Sequence, residues 1–258
     1  MRGGAQAHLI EAADGHAYVV KFRNNPQHRR ILVNELVANS LLEHLEIATP
    51  AAALVELTPD FLAAHPETAI TLGSRRELPE PGLHFGSRYP GDPARLAIYD
   101  YLPDVLLGAV ANRRDFLGVL AFDKWTSNAD ARQAIFYRAR LTGRGAGQAF
   151  VAEMMDNGFL FDGPHWRFSG APLQGLYFRP AVYAGVTSLD DFQPWLDRIR
   201  HLPDTVLDAA WKRVPPEWLA ADDDLERLLE RLWRRRTRIE DLLAECRSAR
   251  AAYFPGWS

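Results

Sequence analysis

The chain has 258 residues, 47% of them hydrophobic and 24% charged, with 30 Lys+Arg against 33 Asp+Glu and a net charge of −3. That length suits one domain of two lobes or two small domains, and the composition excludes wholesale disorder, a run of roughly 18 apolar residues and a global pull toward nucleic acid or anionic lipid. The opening MRGGAQAHL has no signal-peptide pattern and the single cysteine, Cys246, excludes internal disulfides, so the expectation is a soluble cytoplasmic protein with no membrane or nucleic-acid partner.

A small-residue loop, Gly3-Gly4-Ala5-Gln6, precedes two strand-like runs, HLIEA and HAYVVKF, joined by the Asp14-Gly15 signal of a tight hairpin. Pro26 sits at a natural helix start, and Ile31, Leu32, Leu36, Leu42 and Leu45 repeat at helical spacing over residues 27–45. AAALVEL reads as a strand and TPDFLAA as a short helix capped by Thr58. Residues 73–95 are rich in Gly, Pro and Arg and read as an irregular linker interrupted by the short strand LHFGSRY. Helices are expected over 102–109 and 115–125, then strands over 133–139 and 149–156 joined by RLTGRGAGQ. The tail reads as helices broken at Pro203 and Pro215-Pro216, with an apolar stripe through Leu225, Leu228, Leu229, Leu232, Ile239, Leu242 and Leu243. The organisation is α+β and bilobal, with a β-rich N-lobe over residues 1–90 and a mostly helical C-lobe over 91–258, the layout of a protein-kinase-like fold.

Of the 30 basic residues only Lys21, Lys124 and Lys212 are lysines. Lysine is a compact point charge suited to a phosphate, where arginine presents a planar fork. Strand alternation puts Lys21 on the face of Val19 and opposite Val20 and Phe22. From this segment alone it reads equally as a strand-edge lysine reaching water or as a phosphate anchor with Glu35, fourteen residues on, as its partner. Gly3-Gly4-Ala5-Gln6 is either a backbone cradle for phosphates or a frayed end. Asp130 lies in the loop between a helix and a strand, where a plain turn competes with a catalytic loop. Twenty-six residues later Asp156-Asn157-Gly158 ends a strand, either as a turn or as a carboxylate that holds a metal. The histidines show no metal-ligand spacing, and Gly86-Ser87 lacks a nucleophile elbow.

The opening MRGGAQAHLIEAADGHAYVVKFRNNPQ, the later Asn34-Glu35, GLHFGSRYPG, FDKWTSNADARQAIF, MDNGF and VPPEW together resemble the short stand-alone bacterial HipA-like kinases. The resemblance implies a bilobal kinase-like fold, ATP and Mg²⁺ as cofactors, and a serine/threonine hydroxyl acceptor on a protein or small molecule. It implies Lys21 as the phosphate lysine, Asp130 as the catalytic aspartate and Asp156 as a metal ligand. It also places the adenine-contacting strand near Phe85 and Ser87. Larger kinases of this group carry Asn five residues after the catalytic Asp; here that position is Ile135, leaving Gln133 as the nearest second metal ligand. Arg132 stands where those kinases have a basic residue. The chain begins at the glycine loop, so the reading includes no N-terminal subdomain of the kind through which HipA toxins meet their antitoxin. Two other readings follow, a nucleotide-binding pseudokinase acting as a scaffold and an interaction protein using its leucine-striped C-terminal helices.

Overall fold

A computed structural model describes residues 4–141, 147–221 and 223–257. Strands β1 (His8–Glu11) and β2 (Ala17–Lys21) pair as the expected hairpin, with Leu9 opposite Val19. Gly15 takes the left-handed φ of 77° that the turn requires. Asp14 fastens it by accepting hydrogen bonds from the backbone N–H of His16 at 3.0 Å and the hydroxyl of Tyr18 at 2.8 Å. Strand β3 (Ala52–Leu57) follows helix α1 (Arg30–His44), and short helix α2 (Pro59–Ala64) starts at its Thr58 cap.

The stretch expected to be an irregular linker is more ordered than its composition suggests. It contributes to a small hairpin, β4 (Ile70–Leu72) with β5 (Arg75–Glu77), and then β6 (Gly82–Arg88), which is a central strand. β6 pairs antiparallel with both β2 and β3, giving the order β1-β2-β6-β3. β5 escaped the sequence reading because Arg75, Arg76 and Glu77 are all exposed, and a two-sided polar strand has no hydrophobic period. Gly86 permits the sheet to close: a Cβ there would lie 2.6 Å from Cγ2 of Val55.

One face of the sheet carries Ile10, Tyr18, Val20, Phe22, Val55 and Leu57, which form a small core with Leu62 of α2 and Ile70. The other face turns Phe85 into a larger core. That core contains α1, helix α4 (Asp115–Thr126), hairpin β7 (Gln133–Leu141) and β8 (Gly147–Met155), and the C-terminal helices. Eleven residues of α1 and eleven of α4 are buried, so neither helix shows a clean polar face. Between them runs the short helix α3 (Asp104–Leu107), shorter than the periodicity predicts. The tail forms α5 (Trp195–Arg200), α6 (Asp204–Arg213), α7 (Leu225–Arg235) and α8 (Ile239–Ala249), with breaks at the expected prolines. The Trp125 indole N–H donates to the carbonyl of Leu232 at 2.9 Å, tying α4 to α7. No helix among the described residues is long and apolar enough to cross a membrane.

His84 of β6 is fully buried beside the lysine strand. Its Nδ1 accepts the backbone N–H of Arg23 at 2.9 Å, and its Nε2 lies 2.8 Å from the carbonyl of Glu80, so the ring is held as the neutral Nε2–H tautomer. Burial pushes its pKa down from 6.5 to about 4, outweighing the hydrogen bond to Glu80 that favours protonation. A histidine whose pKa is lowered by folding stabilises the fold above its unfolded pKa, and that contribution is lost as pH falls toward the folded value. Unfolding free energy is therefore expected to lose about 3 kcal/mol through His84 between pH 6.5 and pH 4. Denaturant titrations across that interval should show a shallower pH dependence in His84→Gln than in the wild type. Identical slopes would remove His84 from the account.

Candidate active site

Lys21 is the last residue of β2 and sits opposite Phe85 of β6. Because Val20 and Phe22 fill the small core, alternation sends the Lys21 side chain out of the other face, where it is only 13% exposed. There its ammonium meets two carboxylates. It pairs with Glu35 Oε1, on the middle of α1 and 3% exposed, and donates to Asp156 Oδ1 at 2.8 Å. Gln133, the first residue of β7, donates its amide Nε2 to the other Asp156 oxygen at 3.0 Å. Four of the sequence-predicted site residues thus share one hydrogen-bonded cluster.

Asp156 is the residue after β8 and adopts φ 60°, a left-handed conformation that aspartate tolerates better than most residues. Such a conformation costs on the order of 1 kcal/mol, and the bonds from Lys21 and Gln133 hold it. Burial alone would raise the Asp156 pKa; the Lys21 charge and hydrogen bond, aided by Arg132 and Gln133, overcome this and hold the carboxyl below its usual range. Burial likewise works against the Lys21 charge, and Glu35 and Asp156 reverse it, so the ammonium titrates above its ordinary value.

The turn after Asp156 is pressed onto α1. A Cβ on Gly158 would lie 2.5 Å from Cγ2 of Ile31, one helical turn before Glu35, so only glycine lets the two segments approach this closely. Asn34, adjacent to Glu35 and fully buried, closes the contact. Its amide donates to the carbonyls of Gly158 at 2.7 Å, Leu160 at 3.1 Å and Gly163 at 3.1 Å, and its oxygen accepts the Trp166 indole N–H at 2.8 Å. Sequence reading passed over the function of Asn34. The available signal was an amide inside an otherwise apolar helix face.

Asp130 occupies an exposed loop that begins where α4 ends at Ser127, which has φ 57°. Asn128 Oδ1 accepts the Asp130 backbone N–H at 3.1 Å, and the Asp130 carbonyl accepts Gly175 N–H at 2.8 Å. One carboxylate oxygen of Asp130 accepts the Ala131 N–H at 2.7 Å. Beneath the loop lies a fully buried ion pair in which Arg132 donates through two nitrogens to Asp123 of α4. Arg132 also donates to the Met155 carbonyl at 2.8 Å and to Asn157 Oδ1 at 2.9 Å, the residues on either side of Asp156. Asp130 makes no hydrogen bond to the Lys21 cluster; Arg132 is the covalently near neighbour that connects its loop to Asp156. Gly175, at φ 73°, would put a Cβ 2.4 Å from that of Asp123, and Lys124 fixes the adjoining chain by donating to the carbonyls of Pro172 at 2.7 Å and Gln174.

Among the described residues the remaining candidates make no hydrogen bond to the cluster, although Phe85 and Ser87 share its face of the sheet. The Phe85 ring is 3% exposed inside the large core, whereas Ser87 is half-buried opposite Val19 on the Lys21 face of the sheet. The Gln6 amide is committed to the Thr71 backbone, donating to its carbonyl and accepting its N–H, both at 2.8 Å. Gly4 packs against Gln27, Ala5 is half-buried, and Gly3 lies outside the described residues. An open cleft of about 1010 Å³ adjoins the end of β6, lined by Leu9, Ala17, Ala51, Tyr89, Gly91 and Glu153 among others. Leu9 pairs with Val19, one side chain along the same face from Lys21, so this cleft and the cluster share one wall.

The donor set bears on which ion could be held. Asp156 offers an ionised carboxylate, and rotation of the Gln133 amide would present its oxygen to the same point. Among the described residues no group of three His, Cys, Asp or Glu side chains could hold a metal by itself. Hard oxygen donors of this small number fit Mg²⁺, which keeps waters and phosphate oxygens as its other ligands.

A model described as HipA-like kinase matches residues 1–136. The chain belongs to the HipA-like kinase family. The matched span carries Lys21, Glu35, Asp130 and Gln133 and ends before Asp156, which the fold returns to Lys21. No curated protein matches the chain.

Asn34→Ala in this HipA-like kinase leaves three carbonyls and an indole N–H without their partner, and is expected to cost about 3 kcal/mol of unfolding free energy. Urea denaturation measures it. A loss below ~1 kcal/mol would mean that the turn after Asp156 does not depend on α1 for its anchorage.

Proposed function

We propose that this HipA-like kinase is bilobal, with lobes over 1–90 and 91–258, and transfers the terminal phosphoryl group of ATP to a hydroxyl, with serine or threonine the acceptor that the family resemblance favours. The observation that carries the reading is the Lys21 ammonium bonded at once to Glu35 and Asp156, residues 14 and 135 positions away. Phosphoryl transfer needs positioned charge more than covalent chemistry, and a lysine steadied by a helix carboxylate beside a metal-competent aspartate supplies it.

In this reading the base enters the cleft beside Leu9 and Val19, and the triphosphate runs along the strand face toward Lys21. Lys21 releases Asp156 and takes α/β-phosphate oxygens while Glu35 keeps its stem oriented. Asp156 and the Gln133 oxygen are the side chains that would hold Mg²⁺. Bound Mg²⁺ supplies neutralisation of charge on the phosphate oxygens. Asp130, exposed at its loop, accepts the hydroxyl proton as the acceptor oxygen bonds to the γ-phosphorus and the bond to the β,γ-bridging oxygen breaks, releasing ADP. The proton then passes to solvent. Arg132 is committed to Asp123, so within the cluster Lys21 is the cation that meets the phosphates.

Ile135 in place of a second amide ligand favours one alternative, a pseudokinase that binds nucleotide and acts as a scaffold or regulatory partner. Wild-type protein with labelled ATP and Mg²⁺ is expected to label itself or a supplied polypeptide. Asp130→Asn should cut that transfer at least about 100-fold while retaining the thermal stabilisation by MgATP. Lys21→Met and Asp156→Asn should lose the stabilisation itself. Transfer by Asp130→Asn at the wild-type rate contradicts the role given to Asp130; stabilisation without transfer in the wild type selects the scaffold.

A further inference from the structure

The C-terminal helices hold a second constellation, separate from the Lys21 cluster. On α6, Asp204, Asp208 and Trp211 fall at spacings of four and three and therefore share one stripe. On α7, Glu226, Glu230 and Trp233 repeat the same acid-acid-aromatic spacing. All six line a single groove of about 380 Å³ between the two helices, and Leu207 and Leu229, 6% and 5% exposed, form its apolar floor.

The groove is poorly satisfied by its own protein. Trp211 is 46% exposed, high for a large aromatic ring, and the Trp233 indole nitrogen is buried with no hydrogen-bond partner. Among the described residues Asp208 and Glu226 form no ion pair, and Glu230 has only its exposed neighbour Arg234. Of the basic residues nearby, Arg213 donates to Ser40 Oγ at 2.7 Å and Arg235 to the Trp125 carbonyl at 2.9 Å, while Arg236 lies over the Trp233 ring, 3.5 Å from its centroid. Lys212 and Arg227 follow groove residues by one position and so point to other helix faces. Four carboxylates around an apolar floor repel one another, and aromatic rings beside them add a preference for cations.

We propose that the α6–α7 groove is a docking site for a basic amphipathic helix of a partner protein. Apolar side chains of that helix seat on Leu207, Leu229 and Trp211, and its lysines or arginines, spaced by four, meet Asp204, Asp208, Glu226 and Glu230. Charge complementarity selects the sign, and the paired stripes select a helical ligand over a single point cation. This surface does not depend on phosphoryl transfer.

The experiment titrates the full chain with a fluorescein-labelled Lys/Leu amphipathic helical peptide, read by anisotropy and by quenching of Trp fluorescence. The comparison ligands are the same peptide with Glu for Lys and a small aromatic amine, phenethylammonium. The basic peptide is expected to bind with quenching, to weaken at least tenfold in the Asp208→Asn/Glu226→Gln double variant, and to bind Lys21→Met unchanged. Asp60→Asn, an exposed acid elsewhere, should leave affinity unaltered, and melting curves establish that all variants fold. Three results overturn the proposal: equal binding by the double variant, binding of the acidic peptide, or phenethylammonium competing at the peptide's own affinity. Concentration-dependent self-association abolished by the double variant would overturn it in favour of a second copy of this chain.

Discussion

The Lys21 ammonium, shared between Glu35 and Asp156, is the contact on which the site depends, because it joins three elements: β2, α1 and the turn after β8. Such a cluster is a poor device for stability. Removing charged groups from water costs several kcal/mol each before their attraction repays it, and an apolar trio of similar volume would do as well or better. What it provides is a charge arrangement already assembled, with Asp156 31% exposed and able to change partners. An ammonium that can trade one carboxylate for a phosphate, while a second and more deeply buried carboxylate keeps it in place, is pre-organised for an anionic ligand.

The rest of the polar interior keeps that arrangement in register. Asn34 and Gly158 fix the distance between α1 and the Asp156 turn, so Glu35 and Asp156 approach Lys21 from two sides. The Arg132–Asp123 pair does the corresponding task for the Asp130 loop, bonding α4 on one side and the flanks of Asp156 on the other. Lys124 and Gly175 then hold the chain that caps this loop. Of the three lysines, Lys124 is buried and Lys21 only 13% exposed, at the two ends of this network, and in both places a compact ammonium serves geometry that a guanidinium fork would not.

Much of this was legible in the sequence where the signal was local. Asp14-Gly15 and the alternation around Lys21 gave the hairpin and the facing of the lysine, and the strand before Asp156 was visible as an apolar run. Glu35 was readable as a partner of Lys21, and the family resemblance added Asp156 as a metal ligand; the bond between Lys21 and Asp156 is encoded by no period. What escaped was set by tertiary contact. β5 is polar on both sides, Asn34 finds its carbonyls some 124 to 129 residues away, and Gln6 spends its amide on Thr71. Phe85, placed from the resemblance near the nucleotide, lies opposite Lys21 with its ring in the large core, a burial that no local pattern gives. Arg132 had no role assigned from the sequence, and only the proximity of Asp123, nine residues earlier on α4, reveals it as a buried tie.

A structure of the protein bound to a non-hydrolysable ATP analogue and Mg²⁺ tests the central claim most directly. The account predicts that the Lys21 ammonium leaves Asp156 for the phosphates while remaining on Glu35, and that Asp156 and the Gln133 oxygen reach the metal. An analogue bound away from this face of the sheet, with Lys21 still on both carboxylates, would contradict it.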